Sequence, residues 1–213
     1  MGGAREEILG RVRTAIADVA DPDVTETPID WAYGAAVSTG ELGLIDRFDE
    51  RVADYRAVVE QVAPDVLAAS VQAALDGVTG GVIGDDAVRT LVGADGIDWL
   101  RDDALSPYDL DAAGAVVTTA AVGIANTGTI VLDHGAGQGR RAVSLVPDVH
   151  VCIVAADQIV SDVPEAVARL VESGANTHPQ TWISGPSATS DIELDRVEGV
   201  HGPRTLHVII VRE

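Results

Sequence analysis

Apolar residues in the first third of the chain recur at the spacing of amphipathic helices. Residues 4–20 place apolar side chains three or four positions apart, which puts them on one face of a helix. A longer helix is predicted from Leu44, with an apolar face that reaches Val59, and Pro64 begins another that extends to about Leu75. The first helix carries its apolar face at Ile8, Leu9, Val12, Ile16 and Val19.

After Gly80 the pattern changes to short runs of Val and Ile bounded by Gly, Pro or Asp. These runs are GGVIG, GAVVT, GTIVL, VHVCIVA, TWISG and TLHVIIV, and helical stretches such as PEAVARLVES lie between some of them. Continuous apolar strands separated by helices are typical of a mainly parallel sheet covered on both faces. We therefore predict an α/β fold that forms one domain overall, with a helical N-terminal segment at residues 1–78 packed on an α/β core at residues 79–213.

The charge of the chain excludes several classes of partner. The formal net charge is -20, and all 14 basic residues are arginine. Such a surface repels nucleic acid and anionic membranes, so neither is expected as a partner. No apolar run approaches the length of a membrane span, and acidic residues near the N-terminus argue against a signal peptide. We expect a soluble, cytoplasmic protein without membrane insertion.

The sequence also predicts that the chain holds no metal and no cofactor. Its one cysteine, Cys152, lies in an apolar run, and an iron–sulfur cluster normally needs about four thiolates. The histidines lack the spacing of a zinc site, although His134 and His201 lie in loops and are candidates for lining a pocket.

The GAGQGR segment, residues 135–140, resembles a dinucleotide-binding loop only superficially. It has the form Gly-x-Gly-x-Gly, with no glycine at the third position that the motif requires, and no helical pattern follows it. We interpret the segment as a flexible loop that carries Arg140 and Arg141.

One polar segment with candidate chemistry is Asn126–Thr129. It supplies a side-chain amide, two hydroxyls and a glycine immediately before a predicted strand. An ordinary turn, which Asn and Gly favour, is the alternative to a polar pocket lining.

A second polar segment follows the predicted TWISG strand. We predict that a helix begins at Pro186, with Ser187 or Thr189 as its cap. Asp191 and Glu193 then lie early in the helix, where the dipole favours acids. These residues either end a strand and cap a helix, or they also hold a ligand.

Ligands of open α/β sheets gather at the carboxyl ends of the strands, so we predict that the two polar segments meet there and bind a small anion. Gly185 lets the backbone approach the ligand closely, and N–H groups at the helix start point at it. An arginine supplies formal charge, and no residue is assigned a catalytic role. The candidate ligand-binding residues are Asn126, Thr127, Gly128, Thr129, Arg140, Arg141, Gly185, Pro186, Ser187, Thr189, Asp191, Glu193, His201, Gly202 and Arg204.

Four segments taken together resemble the LUD-domain family, in particular its lactate-utilisation protein C (LutC) branch. They are GIANTGTIVL, SLVPDVHVCIV, ISGPSATSDIE and GVHGPRTLHVIIV, and the N-terminal REEILGRVRTAIADV and DRFDERVADYRAVV also look like that branch. Family members often carry an acid at the position of Asn126 and an arginine at the position of Ala188. This chain departs from the family pattern at both positions.

The resemblance implies a fold similar to the NagB/RpiA/CoA-transferase group. It also implies a role beside two iron–sulfur partner proteins in the oxidation of L-lactate to pyruvate, with this chain as the subunit that lacks a cluster. Two alternatives stay open: a free-standing enzyme acting on a phosphorylated sugar or an acyl-CoA, and a regulatory or scaffolding protein of the same fold. An enzyme would turn over its substrate alone, whereas a subunit would be inert without its partners.

Overall fold

The computed structural model describes residues 3–18, 34–93, 95–189, 197–198 and 201–212. The chain divides into two compact units, residues 1–32 and residues 33–213. In the first unit, helix α1 (Ala4–Ala15) confirms the predicted N-terminal helix. None of its residues is buried, and the side chains of Ile8, Val12 and Ile16 are exposed.

Five further helices lie in the described part of the second unit: α2 (Leu44–Asp54), α3 (Leu67–Ala74), α4 (Asp86–Val92), α5 (Pro107–Ala112) and α6 (Val163–Glu172). The strands are β1 (Val58–Val62), β2 (Val82–Ile83), β3 (Trp99–Leu100), β4 (Ala115–Thr119), β5 (Val122–Ile124), β6 (Thr129–Leu132), β7 (Val149–Ala155), β8 (Ile159–Val160), β9 (Thr181–Ile183), β10 (Ala188–Thr189), β11 (Val197–Glu198) and β12 (Thr205–Val211). Short 3-10 helices cover Pro64–Val66, Arg141–Ser144, Ala156–Gln158 and Ala175–Thr177.

A six-stranded sheet forms the centre of the second unit, in the order β1-β12-β7-β4-β2-β3. Every pairing in it is parallel. The amino ends of these strands therefore lie along one edge of the sheet and their carboxyl ends along the other. The prediction of an α/β fold with a mainly parallel sheet is confirmed.

The two faces of the six-stranded sheet are buried against different partners, because successive side chains of a strand point to opposite faces. Ile209 of β12 packs with α3 and α4. Its neighbours Val208 and Ile210 pack with Ile130 and Leu132 of a second sheet, in the order β8-β5-β6-β9. Helix α6 covers the far side of this second sheet through Ala166 and Leu170. The layers are thus helices, sheet, sheet and helix.

The N-terminal part of the second unit differs from the sequence prediction. The predicted helix through Val59 ends at Asp54, and Val59 lies in β1, which pairs with β12 at the edge of the six-stranded sheet. The segment 1–78 is therefore not helical throughout, and the central sheet takes strands from both sides of residue 78. The helix expected from Pro64 to about Leu75 is present, as a 3-10 turn followed by α3.

Within the described residues, no helix is both long enough and apolar enough to cross a membrane.

Candidate functional site

A cavity of about 240 Å³ opens between the two sheets at the amino ends of β7 and β12. Residues 181–187 line one side of it and residues 201–203 another, with Ser144, Leu145, His150 and Leu206 completing the wall. His150 and Leu206 are the second residues of their strands, which places this amino-edge cavity at the amino edge of the six-stranded sheet. None of the described lining residues is acidic, although the whole chain has a net charge of -20.

The Ser187 and His201 segments are joined across the mouth of this cavity. The backbone N–H of Ser187 donates to the carbonyl of Pro203 at 2.8 Å, and the backbone N–H of His201 donates to Ser187 Oγ at 3.0 Å. Because Ser187 Oγ accepts this bond, its own proton is left to donate elsewhere. The segment after β9 and the segment before β12, which both hold candidate ligand-binding residues, therefore meet through main-chain groups and one hydroxyl.

A run of three hydroxyls reaches the cavity from the turn between β5 and β6. Thr127 Oγ1 lies 2.8 Å from Thr129 Oγ1, which in turn lies 2.8 Å from Ser184 Oγ. Thr129 is buried, whereas Ser184 lines the cavity. Gly128 makes this turn possible, because its φ is +60° and a Cβ there would meet the backbone of Arg51 at 2.7 Å.

The imidazole of His150 is fully buried beneath the cavity, and only one of its two nitrogens has a hydrogen-bond partner among the described residues. Its Nε2 lies 2.8 Å from Thr118 Oγ1, while its Nδ1 has no hydrogen-bond partner among the described residues. Burial lowers the pKa of His150 to about 4, so the ring is neutral at pH 7. An unpaired buried nitrogen of this kind costs about 1–3 kcal/mol.

The proton of Thr118 decides which nitrogen of His150 is protonated. Cys152 Sγ donates to the carbonyl of Thr119 at 3.9 Å, and Thr118 Oγ1 lies 3.7 Å from Cys152 Sγ, to which it can donate. When Thr118 donates to Cys152, it accepts from His150 Nε2–H, and the unpaired Nδ1 is then a lone-pair acceptor. When Thr118 donates to Nε2 across their 2.8 Å contact, Nδ1 carries the ring proton instead.

Two other hydroxyls of the amino-edge cavity have already committed their protons. Ser144 Oγ donates to the carbonyl of Arg141 at 3.1 Å. Thr181 donates to His134 Nε2 at 2.9 Å, because the other ring nitrogen of His134 donates to the Gly139 carbonyl. Among the described lining hydroxyls, Ser187 keeps its proton for a ligand, and Ser184 does so when Thr129 is the donor of the bond between them.

A second cavity, of about 340 Å³, lies at the carboxyl ends of β2 and β3, where ligands of α/β sheets commonly bind, and we call it the carboxyl-edge cavity. Its lining contains four aspartates (Asp85, Asp86, Asp102 and Asp103) and two arginines (Arg101 and Arg140). The charged groups are largely paired with one another or with backbone, as in the two bonds from Arg140 to Asp102 at 2.6 and 2.9 Å. The excess of two carboxylates disfavours an anionic ligand at this edge.

Several predictions about the site are wrong in the light of this geometry. No helix begins at Pro186, because Ala188–Thr189 form strand β10, paired antiparallel with β11. The Ser187 N–H is bonded to Pro203 rather than left unpaired at a helix start. The polar segments meet at the amino edge of the sheet, not at its carboxyl edge. Asp191 and Glu193 lie outside the described residues.

The predicted sources of positive charge also lie elsewhere. Arg140 lines the carboxyl-edge cavity, and Arg141 is exposed at the start of a 3-10 helix. Arg204 is exposed and lies 3.5 Å from Asp148. Asn126 is used to hold the fold, since its side chain donates to the carbonyl of Ser38 at 3.1 Å. No arginine is among the described residues that line the amino-edge cavity.

The loop around GAGQGR is better anchored than the flexible loop expected from its glycines. Gln138 is buried, and its Oε1 accepts the backbone N–H groups of Asp133 and His134. Gly137 N–H donates to Asp85 at 2.6 Å, which ties the loop to the start of α4.

Sequence reasoning missed three residues of the site: His150, Thr118 and Ser184. Each is a single polar side chain in or beside an apolar strand, and no motif spacing connects them. Their one shared signal is a polar residue inside a run predicted to be buried. The described residues contain no group of three or more His, Cys, Asp or Glu that could hold a metal ion.

We expect Cys152 to be inert toward thiol reagents in the folded protein. Burial raises the pKa of its thiol to about 12, and the side chain is fully enclosed, so almost no thiolate is present at pH 8. Labelling with iodoacetamide at pH 8, followed by mass spectrometry, should leave the native chain unmodified and label it fully in urea. Rapid labelling of the native chain would contradict the buried position.

The layered α/β fold defines a broad class of protein, and comparison with known proteins identifies the class more closely. Residues 107–211 match the LUD domain. The lactate utilization protein C of Deinococcus radiodurans is 44% identical to this chain over 98% of the chain and 95% of the relative. The chain therefore belongs to the LUD-domain family, in its lactate utilization protein C branch.

Other relatives match a shorter part of the chain. The lactate utilization protein C of Bacillus subtilis is 36% identical over 47% of this chain and 43% of that protein. Among solved structures, the crystal structure of a DUF162 family protein from Deinococcus radiodurans matches with a TM-score of 0.69 at 40% identity, covering 82% of this chain and 99% of that one. These matches support the same family assignment and the same fold.

Proposed function

We propose that this protein takes part in lactate utilization, as the subunit without a cluster in a system that oxidises L-lactate to pyruvate with two iron–sulfur partner proteins. The observation that carries the proposal is the 44% identity to a lactate utilization protein C over nearly the whole of both chains. An identity of that extent covers the segments that line the amino-edge cavity as well as the core.

The chemistry of the described residues supports a subunit that does not itself carry electrons. Oxidation of a 2-hydroxy acid to a 2-oxo acid removes two electrons and two protons, so a redox centre must receive the electrons. The one thiol of the chain is buried with a raised pKa. In this proposal, electron transfer is assigned to the partners, and binding or positioning to this chain.

The test in cells is a complementation experiment. We expect the gene for this chain to restore growth on L-lactate in a Deinococcus radiodurans strain that lacks its lactate utilization protein C and no longer grows on lactate. Growth on pyruvate should be the same with and without the gene. Expression of the folded chain without any recovery on L-lactate would count against the proposal.

The purified components distinguish a subunit from a free-standing enzyme. The chain alone should not reduce an artificial electron acceptor in the presence of L-lactate, and activity should appear when both iron–sulfur partners are added. Turnover of L-lactate, a phosphorylated sugar or an acyl-CoA by the chain alone would favour the enzyme instead.

A further inference from the structure

We infer that the amino-edge cavity is a binding site for a small 2-hydroxy acid, in which His150 Nδ1 accepts the ligand hydroxyl and the hydroxyls of Ser184 and Ser187 hold its carboxylate. The choice of L-lactate as the 2-hydroxy acid rests on the proposed function. The chemistry of the site rests on the hydrogen-bond donors and acceptors of the cavity.

The acceptor at the floor of the cavity is the strongest feature. His150 is fully buried and lines the cavity, and its Nδ1 has no partner among the described residues. The proposed site uses the tautomer in which Thr118 donates to Cys152 and accepts from His150 Nε2–H, which leaves a lone pair on Nδ1. A ligand that satisfies this atom must bring a donor, and a hydroxyl group is such a donor.

The donors are two serine hydroxyls on the segment that follows β9. Ser187 Oγ accepts from the His201 N–H and keeps its own proton free. Ser184 Oγ bonds to Thr129 Oγ1, and it offers its proton to the cavity when Thr129 is the donor of that bond. Two neutral donors can hold one carboxylate without any formal positive charge on the protein.

The charge around the cavity agrees with a small anion. The described lining residues include no carboxylate, whereas the carboxyl-edge cavity has four aspartates against two arginines. A ligand with one negative charge is thus repelled less at the amino edge than at the carboxyl edge. One carboxylate and one hydroxyl on adjacent carbons are the smallest set of groups that matches the donors and the acceptor.

The experiment compares ligands and variants in a single cycle. The ligands are L-lactate and propionate, which differ by the hydroxyl, titrated into the full chain and followed by NMR. We expect the wild type to bind L-lactate about tenfold more tightly than propionate, because propionate leaves Nδ1 unpaired. In His150→Phe this preference should fall to about one.

The serine variants separate the two halves of the ligand. Ser187→Ala and Ser184→Ala should weaken both ligands alike, by about tenfold or more, because both ligands carry the carboxylate. Ser144→Ala is the matched control: it lines the same cavity, but its hydroxyl is committed to the Arg141 carbonyl. The Ser144→Ala variant should bind both ligands with an affinity close to that of the wild type.

A second measurement covers the case in which His150→Phe does not fold. Long-range ¹H–¹⁵N spectra of the wild type should show a histidine that is protonated on Nε2 and titrates near pH 4, as burial predicts for His150. L-Lactate should move the Nδ1 resonance of this ring, and propionate should not.

Three results would overturn the inference: equal affinity of the wild type for L-lactate and propionate, an unchanged preference in His150→Phe, or no binding of either acid at concentrations of about 50 mM. Failure of the site is distinguishable from failure of the proposed function. Complementation without binding leaves the function standing and removes the site. Binding without complementation leaves the site standing and removes the function.

Discussion

Replacement of Gly185 by alanine is expected to lower the free energy of unfolding by about 2–5 kcal/mol. Gly185 has a φ of +92°, and a Cβ added there would lie 2.4 Å from Tyr55 Cβ and 3.2 Å from the Tyr55 carbonyl oxygen. The left-handed backbone costs an L-residue about 1–2 kcal/mol, and forcing an atom into a packed contact costs about 1–3 kcal/mol more. Tyr55 is the C-cap of α2, so its backbone cannot yield without disturbing the helix end.

A matched control separates the two costs of this substitution. Gly174 has a φ of +77° and a ψ of 0°, in the left-handed region, and a Cβ there would meet nothing within 4 Å. Gly174→Ala should therefore lose about 1–2 kcal/mol, from backbone strain alone. Urea denaturation of both variants gives the comparison, and equal losses would contradict the close approach of Gly185 to Tyr55. Gly185→Ala should also weaken binding in the amino-edge cavity, because Ser184 and Ser187 flank the displaced residue.

We also expect His150 to make the folded state less stable in acid, by about 3 kcal/mol between pH 7 and pH 4. The unfolded histidine titrates near 6.5, whereas burial lowers the pKa of His150 in the folded state to about 4. As the pH falls from about 6.5 toward 4, His150 therefore becomes protonated in the unfolded chain while it stays neutral in the folded chain. The stability linked to His150 is complete above about pH 7 and is lost as the pH falls toward 4.

The effect of His150 is isolated by comparing variants across the same pH range. The difference in free energy of unfolding between His150→Phe and wild type should move in favour of the variant by about 3 kcal/mol on going from pH 7 to pH 4. Thr118→Val is the control, since it removes the bond to Nε2 but keeps a buried histidine. It should be less stable than wild type yet retain the loss of stability in acid. A pH-independent difference for His150→Phe would show that the ring is not buried in its neutral form.

The long apolar runs were predictable from the sequence, and the end of α2 was not. Strands such as β4, β7 and β12 follow from uninterrupted Val and Ile between turn residues. Helix α2 ends two residues before Arg56, which takes a φ of 69°. A helix commonly ends with glycine in that conformation, and an arginine there gives no stop signal in the sequence. Because Val59 continues the apolar spacing of the helix, β1 was mistaken for the end of that helix.

Two strands of the second sheet were predicted, β6 within GTIVL and β9 within TWISG, but β5 and β8, of three and two residues, were not, so the separate sheet was missed. Over two or three residues, the apolar–polar alternation that marks a strand cannot be distinguished from a turn or from the end of a helix. The segment after β9 was misjudged for a related reason: Pro186, Ser187 and the acids that follow form a plausible helix start. Tertiary pairing of β10 with β11 overrides that local preference.

The candidate site was predictable in part. The sequence singled out Ser187, His201 and Thr129, which the fold connects through the Ser187–His201 bond and through Ser184. The sequence did not show which edge of the six-stranded sheet carries the site. The site lies at the amino edge because β9 belongs to the second sheet, and the chain after β9 passes close to the amino ends of β7 and β12. The role of His150 depends on Thr118, a strand neighbour 32 residues away in the chain.

The position of β12 has a consequence for synthesis on the ribosome. It is the last of the described strands along the chain, yet it lies inside the sheet, between β1 and β7. Until residues 205–211 have emerged, β1 lacks its one neighbour and β7 exposes an open edge of apolar backbone. A nascent chain stalled before this point therefore presents a template for aggregation. Chaperone capture of the unfinished polypeptide is expected to persist until translation has passed the last strand.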